Sequence, residues 1–424
     1  MSLKGKNILL GISGGIGAFK ACELLRLFVK AECKVRVIMT EAATHFVTPL
    51  TFQSLGAEEV STDVFEPKLY TSEGSRGLEH VAWSDWGNIL VIAPATANII
   101  GKLANGIADE VLSTQAIAYA GPILIAPAMN VKMYNNKAVQ KNIAYLKSIG
   151  VHFIGPEVGQ LASLITATGR MSEPETIFAR ARQILIARND LKGKRVVVSA
   201  GPTREPLDPV RYLSNYSSGK MGFAIADAAC AFGADVILVS GPTHLLPPPG
   251  VKLVAVDSAL QMQGEIRKLC ADADYLFMAA AVADYRPTSF QKQKIKRTEK
   301  TVELRLQPNP DILKTLGNSR PKFVVGFALE TENIEARAYD KLREKKLDMI
   351  VANNPSEEGV EFGSDYNRAI IIPRGGKPVR TEKLPKFDLA VKIIEESLVS
   401  RKGEDVGRVY GASRRRGAKP DKTI

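Results

Sequence analysis

Residues 3–15 read LKGKNILLGISGG, and residues 191–203 read LKGKRVVVSAGPT. In each segment a short apolar run ends in a glycine-rich turn, and a helical pattern of apolar residues follows. A strand, a glycine turn and a helix together form the first βα unit of nucleotide-binding α/β folds. Because this opening occurs twice, about 190 residues apart, we expect two tandem Rossmann-like α/β domains with mainly parallel sheets.

Short runs of valine, isoleucine and leucine recur in both halves, as is typical of strands buried on both faces of a parallel sheet. The predicted strands span 7–11, 35–39, 88–93, 122–127, 195–199, 235–239, 252–256, 274–279, 323–328, 348–352 and 368–372. The predicted helices span 16–31, 132–149, 219–232, 258–271, 332–346 and 385–399, with a connecting helix over 172–190. We therefore expect the boundary between the halves near residues 189–192, with loops at 247–249 and 291–300.

The composition is that of an ordinary globular protein, with 45% apolar and 24% charged residues in a chain of 424. It excludes a disordered, collagen-like or coiled-coil chain, and the length suits two or three domains. The four cysteines (Cys22, Cys33, Cys230 and Cys270) form no CxxC pair, which predicts reduced thiols in a cytoplasmic protein without a zinc cluster. No apolar run approaches the ~20 residues of a membrane span, and we expect no signal peptide.

The net charge of +12 is unevenly distributed. Residues 401–424 hold eight Lys/Arg against three Asp/Glu and have no apolar periodicity, which predicts a disordered basic tail. A solvated tail is favoured over one that contacts nucleic acid. The rest of the chain is also basic, and this charge suits anionic small molecules.

The first glycine turn, Ser13-Gly14-Gly15, offers backbone N–H groups to a phosphate. It lacks a full GxGxxG pattern, and Met39-Thr40 follows the second strand where a dinucleotide site would have an acidic residue. The pattern argues against NAD and leaves FMN or another phosphate ligand open.

Three polar segments follow later strands or helices of the first half. They read HVAWSDW (80–86), APATANIIGKLANGIADE (93–110) and PAMNVKMY (127–134). Taken singly, His80 is typical of a packed or surface histidine, and Asn130 of a helix cap. Taken together, the segments resemble the homo-oligomeric flavin-containing cysteine decarboxylases that act on phosphopantothenoylcysteine, and the resemblance covers residues 4–175.

This resemblance implies a flavodoxin-like domain in which FMN oxidises the substrate thiol, CO2 is lost, and the reduced flavin returns the hydride. It implies that His80 is the acid/base residue and that Asn130 grips the substrate carboxylate, with Met133 and Arg170 also contacting substrate. The residues implied to hold FMN are Ser13, Gly14, Thr40, Thr96 and Asn98.

The chain departs from that family in the segment ASLITATGRM (162–171). The family has a cysteine, the acid of the last protonation, where this chain has Ser163. A hydroxyl is far less acidic than a thiol, whose pKa is about 8.5, so proton donation should be slower. Either Ser163 or a water supplies this proton, or the step is impaired.

The second half contains DPVRYLSNYSSGKMG (208–222), AAAVADYRP (279–287), KIKR (294–297) and GFALETE (326–332). The serines, the lysine and the helix start of the first segment suit a phosphate, although it is not a Walker A motif. Lys341 and Lys345 share one face of a predicted helix.

These segments resemble the bacterial, CTP-using phosphopantothenate–cysteine ligases over residues 191–400. The resemblance implies that the 4′-phosphopantothenate carboxylate attacks CTP to give an acyl-cytidylate, and that the amine of cysteine then displaces CMP. It implies that Asn215 acts at the acyl-cytidylate and that Lys294 stabilises charge at the phosphate. The residues implied or chosen to contact CTP are Ala281, Asp284, Lys294, Pro310, Asp311, Ile312, Leu313, Phe327, Lys341 and Lys345. We choose Ser217, Ser218 and Lys220 as a phosphate cradle, and we expect Mg2+ to bridge the phosphates.

The two resemblances imply a bifunctional enzyme of coenzyme A biosynthesis whose ligation product is decarboxylated to 4′-phosphopantetheine. They assign an FMN-dependent decarboxylase domain to 1–188, a CTP-dependent ligase domain to 189–400 and a basic tail to 401–424. They also imply a homo-oligomer with trimeric flavodomain contacts and dimeric ligase contacts. Two alternatives stay open: a ligase whose flavodomain only binds FMN and builds the oligomer, and a non-enzymatic flavoprotein scaffold.

Overall fold

The computed structural model describes residues 3–64, 79–160, 166–297, 303–354 and 356–414 of the chain, with backbone alone for 79–81, 160, 166 and 402–414. The chain divides into two compact units, residues 2–186 and residues 187–424. Each unit has its own sheet and its own buried core.

The first unit contains a six-stranded parallel sheet and one antiparallel hairpin. Its strands are β1 (Asn7–Ile12), β2 (Lys34–Met39), β3 (Glu59–Ser61), β4 (Ile89–Ala95), β5 (Ile123–Pro127), β6 (His152–Phe153), β7 (Glu157–Gln160) and β8 (Thr166–Arg170). The sheet order is β3-β2-β1-β4-β5-β6, the doubly wound order of Rossmann folds. Without the short edge strand β3, the order is that of a flavodoxin-like sheet. The predicted α/β fold is confirmed.

The described helices of the first unit lie between its strands, except the last, which follows β8. They are α1 (Ala18–Lys30), α2 (Glu41–Thr44), α3 (Pro49–Leu55), α4 (Glu79–Trp86), α5 (Ala97–Ala104), α6 (Val111–Ala118), α7 (Val131–Tyr134), α8 (Lys137–Ser148) and α9 (Pro174–Leu185). The single helix predicted over 132–149 is wrong, because the structure has two helices there. Asn136 begins the second of them by accepting a hydrogen bond from the N–H of Ala138 at 2.9 Å, as helix-capping residues do.

The second unit has an eight-stranded sheet and three two-stranded antiparallel sheets. Its strands are β9 (Arg195–Ala200), β10 (Arg204–Pro206), β11 (Tyr212–Ser214), β12 (Asp235–Ser240), β13 (Lys252–Ala255), β14 (Tyr275–Met278), β15 (Tyr285–Pro287), β16 (Leu306–Pro308), β17 (Phe323–Leu329), β18 (Met349–Asn353), β19 (Tyr366–Asn367), β20 (Ile370–Pro373), β21 (Val379–Arg380) and β22 (Leu384–Pro385). The sheet order is β13-β12-β9-β14-β17-β18-β20-β21. The first six strands are parallel. β20 pairs antiparallel with β18, and β21 pairs antiparallel with β20.

Five α-helices of the second unit are described, namely α10 (Lys220–Ala231), α11 (Ala259–Cys270), α12 (Ile312–Thr315), α13 (Ile334–Glu344) and α14 (Lys386–Arg414). The last of them corrects the prediction of a disordered tail from residue 401, because α14 continues to Arg414. Extending an existing helix adds one hydrogen bond for each residue fixed, without a new nucleation cost. Residues 415–424 lie outside the described part of the chain.

The glycine turns after β1 and β9 and the polar segments after β4, β5, β14 and β17 lie at the carboxyl ends of parallel strands. In the first unit, β1 pairs with β2 on one side and β4 on the other, and every residue of β4 is buried. In the second unit, β9 has the same central place between β12 and β14. Open α/β sheets bind ligands at this edge, where the strand order reverses.

Candidate functional site

In the first unit, Ser13 joins the turn after β1 to the turn after β4. Its hydroxyl donates to the carbonyl of Pro94 at 2.8 Å and accepts from the N–H of Thr96 at 2.9 Å. The side chain is buried. Gly14 lies close to the turn after β2, since a Cβ there would lie 2.4 Å from the Cβ of Ala42. Both residues therefore hold the three turns together at the edge where the sequence predicts a phosphate.

Thr40 and Thr96 each begin a short helix at this edge. The Thr40 hydroxyl accepts from the N–H of Ala43 at 3.2 Å, and the Thr96 hydroxyl accepts from the N–H of Ile99 at 3.5 Å. Because each oxygen acts as an acceptor in its cap, each hydroxyl keeps its proton for donation to an anion. Asn98, the second residue of α5, is exposed. These donors are compatible with the phosphate ligand that the sequence predicts at this edge.

Asn130 begins α7 immediately after β5. Its Oδ1 accepts from the N–H of Lys132 at 2.8 Å, and its side chain is exposed. The cap uses the oxygen, so the amide NH2 group remains available as a donor to a carboxylate. This arrangement is compatible with the predicted grip on a substrate carboxylate.

The hairpin β7–β8 lies against the turn that carries Asn130. The N–H of Met129 donates to the carbonyl of Gly169 at 3.0 Å. Gly169 has φ +144°, and a Cβ there would lie 2.2 Å from the Met129 carbonyl oxygen. Only glycine fits this close approach of two backbones.

Arg170 follows on the same strand and forms an ion pair with Glu173, which also pairs with Lys20 of α1 at 2.8 Å. Sequence reasoning missed this use of Glu173, because the residue stands outside every quoted motif. Met133 is half exposed on α7. The backbone of His80 lies in α4, and its side chain is outside the description. Ser163 also lies outside the described residues.

All four cysteines are free thiols. Burial raises the pKa of Cys33 and of Cys270 to about 12, and it also raises the pKa of Cys22. A thiol with a raised pKa is a weaker acid and a poorer nucleophile at neutral pH. These side chains therefore belong to packing rather than to proton transfer.

In the second unit, a cavity of about 260 Å³ lies at the carboxyl ends of β14, β17 and β18. It brings together eight of the residues predicted to contact CTP, which are Asp284, Pro310, Asp311, Ile312, Leu313, Phe327, Lys341 and Lys345. They come from four separate parts of the sequence. Ala281 and Lys294 are not part of this lining.

Both lysines of the cavity contact carboxylates of the same unit. The Nζ atom of Lys341 lies 2.6 Å from Oε1 of Glu330, and that of Lys345 lies 3.4 Å from Oδ2 of Asp311. Burial alone raises the pKa of Glu330, but hydrogen bonds from Lys341 and Arg337 outweigh it and keep the pKa below its ordinary value. The Glu330 carboxylate is therefore charged at neutral pH.

Asn215 and Ala281 contact each other across the segment that follows β14. The Nδ2 of Asn215 donates to the carbonyl of Ala281 at 3.1 Å, and the N–H of Ala281 donates to Gly201 at 2.9 Å. This leaves Oδ1 of Asn215, which is exposed, as an acceptor toward a reacting amine. The tertiary structure thus joins the first and second polar segments of the ligase-like half.

Asp208 fixes the loop that carries Lys294. Its carboxylate accepts from the N–H groups of Val210 and Arg211 at 2.8 Å and from that of Ile295 at 3.0 Å. Burial by itself raises the pKa of Asp208, but these backbone hydrogen bonds keep the pKa below its ordinary value. Lys294 is exposed beside this anchor. Asp208 lies within a polar segment of the sequence, but its anchoring role could not be predicted, because its partner Ile295 lies 87 residues away.

The three residues predicted as a phosphate cradle lie at the start of α10. The Ser217 hydroxyl accepts from the N–H of Gly219 at 3.3 Å, and Ser218 is partly exposed. Lys220 donates to the carbonyl of Gly363 and to the carboxylate of Asp365, each at 2.6 Å. In this structure the Lys220 ammonium thus joins α10 to a later loop, and its contact with phosphate stays a prediction.

Comparisons with known proteins match both units. Residues 1–185 match the Flavoprotein family, and residues 191–399 match the DNA/pantothenate metabolism flavoprotein C-terminal domain. The chain is 43% identical over 398 residues to the coenzyme A biosynthesis bifunctional protein CoaBC of Bacillus subtilis, covering 93% of this chain and 97% of that protein. It is 41% identical to the protein of the same name from Escherichia coli K12, covering 95% and 99%.

Solved structures are also similar to parts of the chain. A crystal structure of the C-terminal domain of a CoaBC protein has 41% identity and a TM-score of 0.43, and the match covers 51% of this chain and 99% of that one. Within the described residues, no helix has both the length and the apolar character needed to cross a membrane.

Proposed function

Because this chain belongs to the family of bifunctional proteins of coenzyme A biosynthesis, we propose that its decarboxylase and ligase activities are divided between its two units. Residues 1–188 carry an FMN-dependent decarboxylation of phosphopantothenoylcysteine. Residues 189–400 carry the CTP-dependent ligation of 4′-phosphopantothenate with cysteine, and 401–424 form a basic extension. The substrates are small molecules, and ligation comes first because its product is the substrate of decarboxylation.

The single observation that carries the ligase assignment is the cavity lined by Asp284, Asp311, Phe327, Lys341 and Lys345. A nucleoside triphosphate needs an apolar wall for its base and cations for its phosphates. Phe327 offers the first, and the two lysines offer the second. Mg2+, when bound with the nucleotide, would neutralise phosphate charge and would need few protein ligands, as is usual for this ion.

Asn215 and Lys294 supply the chemistry of ligation. Lys294 neutralises charge at the α-phosphate when the acyl-cytidylate forms, and Asp208 keeps its loop in place through Ile295. The Asn215 amide donates to Ala281, so its oxygen faces the incoming amine of cysteine. Ser217, Ser218 and Lys220 bind phosphate at the start of α10.

The first unit fits FMN by its donor set. The hydroxyls of Thr40 and Thr96, the Asn98 amide and the N-terminus of α1 meet at one sheet edge, and α1 begins without a side-chain cap. FMN, when bound, supplies reversible oxidation of the substrate thiol. Ser13 and Gly14 hold the turns around it, Asn130 binds the substrate carboxylate, and His80 moves a proton. Met133 and Arg170 contact the rest of the substrate.

Ser163 supports a second candidate, a ligase whose flavodomain binds FMN and builds the oligomer but decarboxylates slowly. A homo-oligomer with trimeric flavodomain contacts and dimeric ligase contacts is part of the proposal in either case. The two candidates differ in how fast the last proton is donated to form 4′-phosphopantetheine.

One experiment on the purified chain tests both activities. Pyrophosphate should form only when CTP and 4′-phosphopantothenate are both present, and CO2 should follow once cysteine is added. In a single-turnover comparison, Ser163→Cys should release 4′-phosphopantetheine faster than the natural protein, because a thiol is the stronger acid. Equal rates would remove the proposed role of Ser163, and absence of pyrophosphate would refute the ligase assignment.

A further inference from the structure

Glu330 lies directly after β17, beside the proposed nucleotide cavity but outside its lining. Its N–H donates to the carbonyl of Asn353 at 3.1 Å, which ties it to the neighbouring strand β18. Only 7% of the residue is exposed. A carboxylate this buried needs strong partners, because burial without them is costly.

Two cations of α13 satisfy the two oxygens of this carboxylate. Nζ of Lys341 lies 2.6 Å from Oε1, and the guanidinium of Arg337 lies 3.1 Å from Oε2. Arg337 and Lys341 are four residues apart, so they lie on the same face of the helix. Lys341 lines the cavity, whereas Arg337 does not.

The charges around Glu330 favour a role in ligand binding at the cavity rather than in stabilising the core. The two cations leave an excess of one positive charge around Glu330. A triphosphate carries several negative charges and would share the Lys341 ammonium. A lysine side chain is flexible, and holding it in place beforehand reduces the ordering cost of binding.

We propose that Glu330 is a positioning residue that holds the Lys341 ammonium in the direction of the triphosphate, with Arg337 balancing its charge. The inference rests on the proposed function, since it takes the cavity as the CTP site. Glu330 does not itself contact nucleotide. It acts through Lys341, so its loss should weaken CTP binding more than it slows the chemistry.

The test is steady-state kinetics of the full chain with Glu330→Gln, which keeps the shape and removes the charge. We expect the KM for CTP to rise about tenfold, as for loss of one charge-assisted hydrogen bond, while kcat and the KM for cysteine stay within about twofold. The matched control is Glu335→Gln on the same helix, whose carboxylate pairs with Arg380. This variant should keep the KM for CTP of the natural protein.

A double-mutant cycle separates positioning from a structural role. If Glu330 acts through Lys341, Glu330→Gln should add nothing to the KM change caused by Lys341→Met, because coupled residues are not additive. Additive effects would overturn the proposal, and so would an unchanged KM for CTP in Glu330→Gln.

If Glu330→Gln does not fold, Glu330→Asp gives the same decision. Aspartate keeps the negative charge, but its side chain is one methylene shorter, so the carboxylate lies farther from Lys341. The KM for CTP should therefore still rise, and a KM equal to that of the natural protein would overturn the proposal. A natural protein that makes no pyrophosphate from CTP would instead refute the proposed function. The two failures are therefore distinguishable.

Discussion

Gly169→Ala tests whether the β7–β8 hairpin must lie against the turn that carries Asn130. The new Cβ would lie 2.2 Å from the Met129 carbonyl oxygen, whereas carbon and oxygen normally approach to about 3.3 Å. The hairpin must therefore move by about 1 Å. The hydrogen bond from the N–H of Met129 to Gly169 would lengthen or break.

The cost follows from these two changes. Forced shifts in a packed region cost about 1–3 kcal/mol, and one lost hydrogen bond costs about 1 kcal/mol. If this cost raises the activation free energy of decarboxylation by about 2 kcal/mol, the reaction slows about thirtyfold. Because ligation is proposed to take place in the other unit, its rate should stay within about twofold.

The assay is single-turnover release of CO2 from phosphopantothenoylcysteine, with pyrophosphate formation measured in the same sample as an internal control. Flavin absorbance shows whether the cofactor is retained. The matched variant is Gly150→Ala, at a glycine whose φ is also positive (+94°) but where nothing lies within 4 Å of the new Cβ. It should lower the melting temperature without changing decarboxylation. Wild-type decarboxylation in Gly169→Ala would refute the reasoning.

Two further predictions concern the second unit. Asn215→Asp should lower ligation product about ten- to hundredfold while flavin absorbance is unchanged. A carboxylate cannot donate to the Ala281 carbonyl, and the charged oxygen left unpaired beside that carbonyl should cost about 1.5–3 kcal/mol. Unchanged product formation would contradict this. Acid should destabilise the chain through Asp274 and Glu330. Burial raises the pKa of each, but the N–H of Arg195 and nearby cations for Asp274, and Lys341 and Arg337 for Glu330, keep both below their ordinary values. Their stabilisation is present above the unfolded pKa of about 4 and is lost as pH falls through the lower folded value. The melting temperature should fall on acidification below pH ~4, and a rise there would contradict the assignment.

Much of the fold was predictable from local sequence patterns. Strands such as β1 and β4 are continuous apolar runs because both of their faces are covered, so their positions agree with the prediction to within two residues. The break between α7 and α8 was missed, since Asn135 and Asn136 interrupt a pattern that otherwise continues. The extension of α14 to Arg414 was missed as well, because composition alone does not register an adjoining helix.

The candidate site was predictable in its residues but not in their partners. The sequence analysis named Asp311 apart from the helical pair Lys341 and Lys345, and the structure shows that all three line one cavity. The contacts of Ser13 with Pro94 and of Asp208 with Ile295 join residues 81 and 87 positions apart. Periodicity reports which face of an element is buried, but it does not report which loops meet beyond the element.

The sequence alone determined that two βα units follow one another, that both sheets are mainly parallel, and that polar segments follow their strands. These features depend on short-range regularities, namely apolar runs, glycine turns and capping residues. Only the tertiary structure decided that Glu330 holds Lys341, that Asp208 anchors the Lys294 loop, and that Gly169 meets Met129. Such contacts depend on how parallel strands bring distant loops to one edge of a sheet, and on the direction of each side chain there.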